Sequence, residues 1–291
     1  MKYEAIYAIQ TGSREFSVRK MCEAMRLRAE NYYRWKRRQI QREEREEKER
    51  ETVAVIRKVF LENKRLYGYR KIRKSLEKQG ILLSEYKIRL LMRKNGLYPV
   101  SIRRYRPGRS LSVRVPHSPD ELKQEFVSHE PGKILVGDIT YIRTNIGWVY
   151  LAIVMDLYNR EVLGYSVSQH IDSELVKRAL GNAIARKGGL QGAVFHSDRG
   201  TQYNSESYQR MLRENGIRQS MSRAGCPYDN ACSESFFATA KKECIYLKNY
   251  ATIDEVKADV FEHIELFYNR KRMHSYLGYM SPVEYRLAHS A

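Results

Sequence analysis

Three consecutive runs rich in β-branched and aromatic residues, 134–142, 148–156 and 161–170, are separated only by Asn145-Ile-Gly147 and Tyr158-Asn-Arg160. Breaks this short leave room for hairpin turns and nothing longer, so the runs predict an antiparallel meander of three strands. A helix over about 173–187, a short strand at 193–197, a helix over about 204–215 and a strand near 217–221 follow, with further helices beyond. The order β-β-β-α-β-α-β folds as a mixed sheet with helices on its faces.

The residues before this block follow helical periodicity. Segments 17–25 and 31–38 predict two short helices separated by a turn, on the scale of a helix-turn-helix, with Tyr33 and Trp35 partly in a core and Arg34, Lys36 and Arg37 outward. The nearly all-charged stretch 41–51 is the composition of a solvated helix face. A second helical unit spans 52–98. Gly80 closes one of its helices in the manner of a C-cap, and Ser84 caps the start of another over 85–94. On that last helix Ile88, Leu91 and Met92 form an apolar stripe, while Lys87, Arg89 and Arg93 lie outward. A recognition helix needs such a basic outer stripe; any amphipathic helix also offers one. Five of the seven prolines fall between Pro99 and Pro131, alongside five arginines, so 99–130 reads as an extended basic linker. The organisation expected is 1–50, a helix-turn-helix-like segment; 52–98, a second helical DNA-binding unit; 99–130, the linker; and 131–291, the strand-bearing core.

Charge follows the same division. The chain carries a formal net charge of +19, and residues 51–130 hold 19 Lys and Arg against 8 Asp and Glu. A basic arm joined to a more neutral body points to a polyanionic partner. No uncharged apolar run reaches the roughly 18 residues of a membrane span, and the start has no secretory pattern, so the expected location is the cytoplasm, on the nucleoid. The four cysteines, Cys22, Cys226, Cys232 and Cys244, make neither a C-x-x-C pair nor zinc-finger spacing with histidine, and read as reduced thiols.

Three acids stand where a structural role is hard to supply. Asp138 interrupts an apolar strand, Asp198 ends the next buried strand, and Glu234 follows in Asp229-Asn-Ala-Cys-Ser-Glu-Ser-Phe-Phe237. An ionised carboxylate in a strand core is costly unless paired or bound to metal. Singly each could be a cap, a turn residue or an ion-pair partner; together they suggest oxygen ligands for hard divalent cations.

The motifs Gly137-Asp-Ile-Thr-Tyr-Ile, His196-Ser-Asp-Arg-Gly-Thr-Gln-Tyr, Ser220-Met-Ser-Arg, Pro227-Tyr-Asp-Asn-Ala-Cys-Ser-Glu-Ser-Phe-Phe and Tyr268-Asn-Arg-Lys-Arg-Met-His-Ser-Tyr-Leu-Gly resemble the second-reading-frame (OrfB) transposases of bacterial insertion sequences, in the retroviral-integrase superfamily. Thirty-five residues separate Asp198 from Glu234, the family's spacing, and the resemblance runs back over Tyr67-Gly-Tyr-Arg-Lys-Ile to the N-terminal unit. It implies an α/β fold, a ribonuclease-H-like core preceded by helix-turn-helix DNA-binding units. The implied activity is cleavage of transposon ends and joining of the freed 3′-hydroxyl to another DNA strand, by two-metal phosphoryl transfer with Mg²⁺ or, in its place, Mn²⁺. Asp138, Asp198 and Glu234 would be the catalytic, metal-holding triad. Implied partners are the terminal inverted repeats and target DNA, further copies of the chain on that DNA, and a first-frame (OrfA) protein, separate or fused; no membrane is involved. Many relatives carry Trp shortly before the first aspartate, where this chain has Leu135-Val-Gly137.

Candidate DNA contacts are Lys241, Asn230, Arg272, His274, Arg89, Arg93, Lys87, Arg34 and Lys36. At about 100° per residue, Asn230 and Lys241 share the helix face of Glu234, opposite a stripe of Cys232, Phe236, Ala240, Cys244 and Leu247; the family resemblance also implies a basic residue seven positions after the glutamate. A further helix starting near Thr252, with Thr252 and Glu255 as a capping box, would carry Asn269, Arg272 and His274 toward the active face, to contact phosphates or to cap a helix end. Two rivals share parts of this pattern. A ribonuclease H acting on RNA–DNA hybrids would want a carboxylate on the first helix and no long segment before the last acid. A DNA-binding repressor with a decayed core would not need all three carboxylates.

Overall fold

The computed structural model describes residues 2–12, 16–100, 128–222 and 231–289, and the chain divides into two compact units, Met1–Pro99 and Val100–Ala291. The expected linker lies mostly outside the described residues, as do Asn230 and Cys226.

The first unit is helical: α1 (Lys2–Gly12), α2 (Val18–Ala24), α3 (Ala29–Glu62), α4 (Tyr69–Lys78) and α5 (Glu85–Lys94). Ser17 caps α2 by accepting from Lys20 N, and Ser84 caps α5 by accepting from Lys87 N. Ile6, Val18, Met21, Cys22 and Tyr32 close a small core at one end of α3. At the other end Ile56, Val59, Phe60, Ile72, Leu76, Ile88, Leu91 and Met92 are buried. Two expectations are corrected. Tyr32, not Tyr33, enters the core, and Tyr33 is exposed. The boundary expected near residue 51 falls inside α3, which runs unbroken for 34 residues, about 50 Å at 1.5 Å per residue. Its charged middle buries nothing apolar, but i,i+3 and i,i+4 pairs such as Arg42–Glu46 and Glu47–Arg50 support a helix at every step, so the propensity of Arg, Glu and Lys carries it between the two cores.

In the second unit β1 (Ile134–Thr144) and β2 (Gly147–Asp156) pair antiparallel from Leu135 opposite Asp156 to Thr144 opposite Gly147. β3 (Val162–Ser168) continues the meander on β2. α6 (Ser173–Lys187) starts on Asp172, which accepts from Leu175 N, and ends at Gly188 in the left-handed region. It lies so close on β3 that a Cβ at Gly164 would fall 2.1 Å from the Ala179 carbonyl oxygen. Next come β4 (Val194–Ser197), α7 (Thr201–Asn204), α8 (Glu206–Glu214) and β5 (Arg218–Met221). The sheet order is β3-β2-β1-β4-β5, with β4 parallel to β1 and β5 parallel to β4. This is the mixed five-stranded, ribonuclease-H-like sheet expected.

Alternation along the strands divides the core between the two faces. Leu135, Val154 and Phe195 meet Leu175, Leu180 and Leu212 on one side. Val136, Leu151 and Ile153 meet Phe236, Phe237, Val256 and Val260 on the other, from α9 (Ala231–Glu243) and α10 (Ile253–Phe261). Burying each such side chain contributes about 1.5–3 kcal/mol, so these two faces dominate the stability of the unit. A π-helical turn, Glu262–Tyr268, and α11 (Pro282–Ala288) complete it. Glu161 anchors α11 by accepting from Arg286 and from Asn159, which also donates to the Pro282 carbonyl. Thr252 does cap α10, but the side chain of Glu255 takes the N–H of Ala251 instead of that of Thr252, so the expected box is only half formed. No described helix is long and apolar enough to cross a membrane.

Candidate active site

β1 and β4 pair only over Ile134–Val136, and among the described residues the next pairing on that side of β1 is the bridge of Thr144 to Tyr250. Asp138 lies between the two. Gly137 makes the approach possible, because the Phe195 ring of β4 lies where its Cβ would be, 2.3 Å away. Asp198 follows the last residue of β4, and its Oδ1 accepts from Gly200 N at 3.0 Å, fixing the turn into α7. Ser197 is held from the next strand by Ser222 N, and the neighbouring His196 by Ser220 Oγ at 2.9 Å from Nδ1, which locks β4 to β5 directly behind the aspartate.

Glu234 is exposed on α9, one turn from the buried Phe236, Phe237 and Ala240. Two arginines brace that helix. Arg160, from the turn between β2 and β3, contacts Cys232 near its start. Arg272 grips Glu243 at its end through Nε at 2.7 Å and Nη2 at 2.8 Å.

The electrostatics tie the three acids together. Burial pushes the Asp138 carboxyl up to about 8, and the charges of Asp198 and then Glu234 add to the shift, against the Ile139 N–H and Lys241. Asp198 keeps an open face to solvent, yet the atoms behind it also push its carboxyl up. Among the described residues no group of three His, Cys, Asp or Glu side chains is placed to share one ion. Asp138 feels the charges of both other acids, that of Asp198 more strongly than that of Glu234.

Lys241 is buried on the Glu234 side of α9, with Nζ 4.7 Å from the centre of the Tyr141 ring. Burial lowers its pKa, and the nearby Tyr141 and Asp138 favour its charge. Lys242 is only half-buried. On the opposite stripe Phe236 and Ala240 are buried and Cys232 and Cys244 half-buried, but Leu247 is exposed, because α9 ends at Glu243 and Ile245 fills that place from a 3₁₀ turn.

The structure does not bring the other C-terminal candidates to the acids. Arg272 is spent on Glu243, His274 packs edge-on against Tyr268 with ring centres 4.9 Å apart, and Asn269 is buried, bonded through its side chain to both backbone groups of Val162. A π turn over Glu262–Tyr268 precedes these residues, of which Asn269 is buried and Arg272 and His274 are half-buried. In the first unit Lys87, Arg89, Arg93 and Arg34 are exposed. Lys36 instead donates to Gln10 and lies over the Tyr7 ring, an intramolecular role that no local pattern announces. Sequence reasoning also passed over Tyr141 and Trp148, exposed aromatics on the hairpin beside Asp138.

Residues 128–227 and 234–289 match two family models, each described as an integrase core domain, and residues 44–106 match an HTH-like domain. The chain is 36% identical over 285 residues to the transposase InsF for insertion sequence IS3A of Escherichia coli (strain K12), covering 98% of each. The chain belongs to the insertion-sequence transposases of the IS3 family. It is also 39% identical over 243 residues to the transposase for insertion sequence element IS904 of Lactococcus lactis subsp. lactis (strain IL1403), over 81% of this transposase and 94% of that one. Among solved structures it is similar, at TM-score 0.41 and 16% identity, to the HTLV-2 integrase catalytic core domain in complex with magnesium, over 53% of this chain and 95% of that one. The transposase therefore pairs an HTH-like helical region with an integrase core of the DDE type, and its function is DNA transposition.

Proposed function

We propose that Asp138, Asp198 and Glu234 are the catalytic triad, holding two divalent cations while the transposase nicks a transposon end and joins the freed 3′-hydroxyl to another strand. The observation that carries this is the placement of the acids: Asp138 on β1 just past its pairing with β4, Asp198 directly after β4, and Glu234 on α9 packed over the same sheet, close enough for Asp198 and Glu234 to act on the Asp138 carboxyl. Three acids, one within β1, one just past β4 and one on α9, make an all-oxygen donor set that suits Mg²⁺ or Mn²⁺. Bound there, such ions would activate the attacking oxygen and stabilise the leaving one.

The chain's own residues divide the remaining work. Asp138, Asp198 and Glu234 would hold the ions through their carboxylate oxygens. Lys241, held beneath Tyr141 on the Glu234 side, would fix the phosphate beside the scissile bond. Lys87, Arg89 and Arg93, exposed on α5, with Arg34 on α3, would grip the terminal inverted repeats. Copies of the chain would assemble on the two ends, with or without an OrfA partner. A ribonuclease H reading is not favoured, since a DNA-binding HTH-like region precedes the core.

The test is end cleavage and strand joining on labelled transposon ends in Mg²⁺. Asp138→Asn, Asp198→Asn and Glu234→Gln should each abolish both steps and leave DNA binding in Ca²⁺ intact. Near wild-type joining by any one of them overturns the assignment.

A further inference from the structure

Beside the acids, the β1–β2 hairpin presents an aromatic surface that the triad does not use. Tyr141 and Trp148 are each about half exposed, and their rings meet edge to face with centres 5.2 Å apart. Cations flank the pair: Lys241 Nζ lies 4.7 Å from the Tyr141 ring centre and the Arg143 guanidinium 5.7 Å from that of Trp148. Tyr246, beyond the end of α9, is exposed and close enough to Tyr141 to sense its charge. Two large aromatics left half in water by a protein with two well-filled cores are not needed for folding. Their position between cations, on the exposed end of the β1–β2 hairpin, is that of a nucleic-acid contact.

The geometry points to a stacking platform: we infer that Tyr141, with Trp148 behind it, stacks on an unpaired base of the transposon end, two or three nucleotides from the scissile phosphate, while Lys241 and Arg143 hold the adjoining phosphates. The distance follows from the strand. Tyr141 is three residues from Asp138, about 10 Å at 3.3–3.4 Å per residue, which is about three steps of a stacked DNA strand at 3.4 Å each. Tyr141 and Asp138 start on opposite faces of β1, but β4 does not continue along that edge of β1, and Lys241 reaches round it to both. An intact duplex hides its base faces, so an exposed ring beside the reacting phosphate is useful only if the end is opened there. Stacking is indifferent to base identity, so sequence recognition stays with the first unit.

The inference rests on the carboxylate site being the centre of phosphoryl transfer, and its test needs no chemistry. Binding of the full-length protein to pre-cut transposon ends is measured in Ca²⁺, with a single abasic site placed at each of the first four nucleotides of the tip. In the wild type, one abasic position, the second or third, should weaken binding at least about five-fold, the lower range for base–aromatic stacking. Tyr141→Ala should lose the same factor on the intact end and nothing more on that abasic end, and Tyr141→Phe should bind like wild type. Trp148→Ala gives the same pattern with a smaller loss. Equal abasic effects in wild type and Tyr141→Ala overturn the platform. So does an altered sedimentation coefficient in Tyr141→Ala with unchanged DNA affinity, which would mark the surface as a contact between copies. Asp138→Asn should show the wild-type abasic pattern; if that variant also joined strands, the metal assignment would fall and the platform would stand.

Discussion

Asp138→Asn tests whether the free site is held under charge strain. Against an ordinary carboxyl value of 3.8, Asp138 is raised to about 8. Between those limits the native protein keeps a proton that the unfolded chain has released, so the native state loses stability as pH rises through this window. The slope is about 1.36 kcal/mol per pH unit. Across about four units the ceiling is about 5–6 kcal/mol; relaxation and water entry around the exposed Asp198 and Glu234 reduce the expected loss to about 2–3 kcal/mol. Asparagine cannot ionise and escapes it.

The variant should therefore match wild type near pH 4.5 and exceed it progressively toward pH 8. At about 2–4 °C per kcal/mol the gain there is roughly 5–10 °C in Tm. The chain has two tryptophans, Trp35 in the first unit and Trp148 in the second, so a Trp35→Phe background makes Trp148 fluorescence a reporter of the catalytic unit. Unfolding is followed in EDTA from pH 4.5 to 8.5, then at pH 8 with Mg²⁺, which should stabilise wild type and leave Asp138→Asn unmoved. A Tm difference that is absent at pH 8, or the same at pH 5 and 8, refutes the reasoning.

Breaking the Arg272–Glu243 bidentate pair, whose side chains are 13% and 16% exposed, leaves Glu243 partly buried without its main partner, so Arg272→Ala should cost about 2–3 kcal/mol in denaturant titration. Glu243→Gln in the same background should recover part of that loss, and no coupling in the double-mutant cycle would contradict the clamp. Gly137→Ala drives a methyl into the Phe195 ring and should cost about 1–3 kcal/mol, with Phe195→Leu relieving it in thermal unfolding. Arg89→Ala and Arg93→Ala should each weaken end binding and lower the slope of log K against log salt by about one, read by fluorescence anisotropy between 50 and 200 mM salt. An unchanged slope would move the DNA contact away from α5.

Much of this was legible because the relevant signals are local. The period-two runs separated by short turns define the β1–β2–β3 meander, and the caps at Ser84 and Thr252 announce their helices. Asp138 is conspicuous because nothing in its own strand could neutralise it. What the sequence hid depends on partners far along the chain. No local pattern shows that Glu243 will take Arg272, or that Val162 will take Asn269, 107 residues away. The π turn has ordinary helical composition, so nothing local marks the change of winding that precedes Arg272 and His274. The unbroken α3 misleads in the opposite sense: a charged run suggests a boundary, yet closely spaced ion pairs make it a good helix.

The two arginines on α9 follow from the same electrostatics that mark the site. Glu234 adds to the repulsion that raises Asp138, so the helix that carries it needs to be held against the sheet. Packing by Phe236, Phe237 and Ala240 supplies inward force along one stripe but leaves the ends free to pivot. Arg160 at Cys232 and Arg272 at Glu243 stand about 16 Å apart along the axis at 1.5 Å per residue, and together they resist that pivot. Both are drawn from the rear of the catalytic unit, the β2–β3 turn and the segment after the π turn, and neither reaches the carboxylates. Within the C-terminal motif Tyr268-Asn-Arg-Lys-Arg-Met-His, Arg272 therefore braces the end of α9, the helix that carries Glu234, while Arg270 and Lys271 stay exposed.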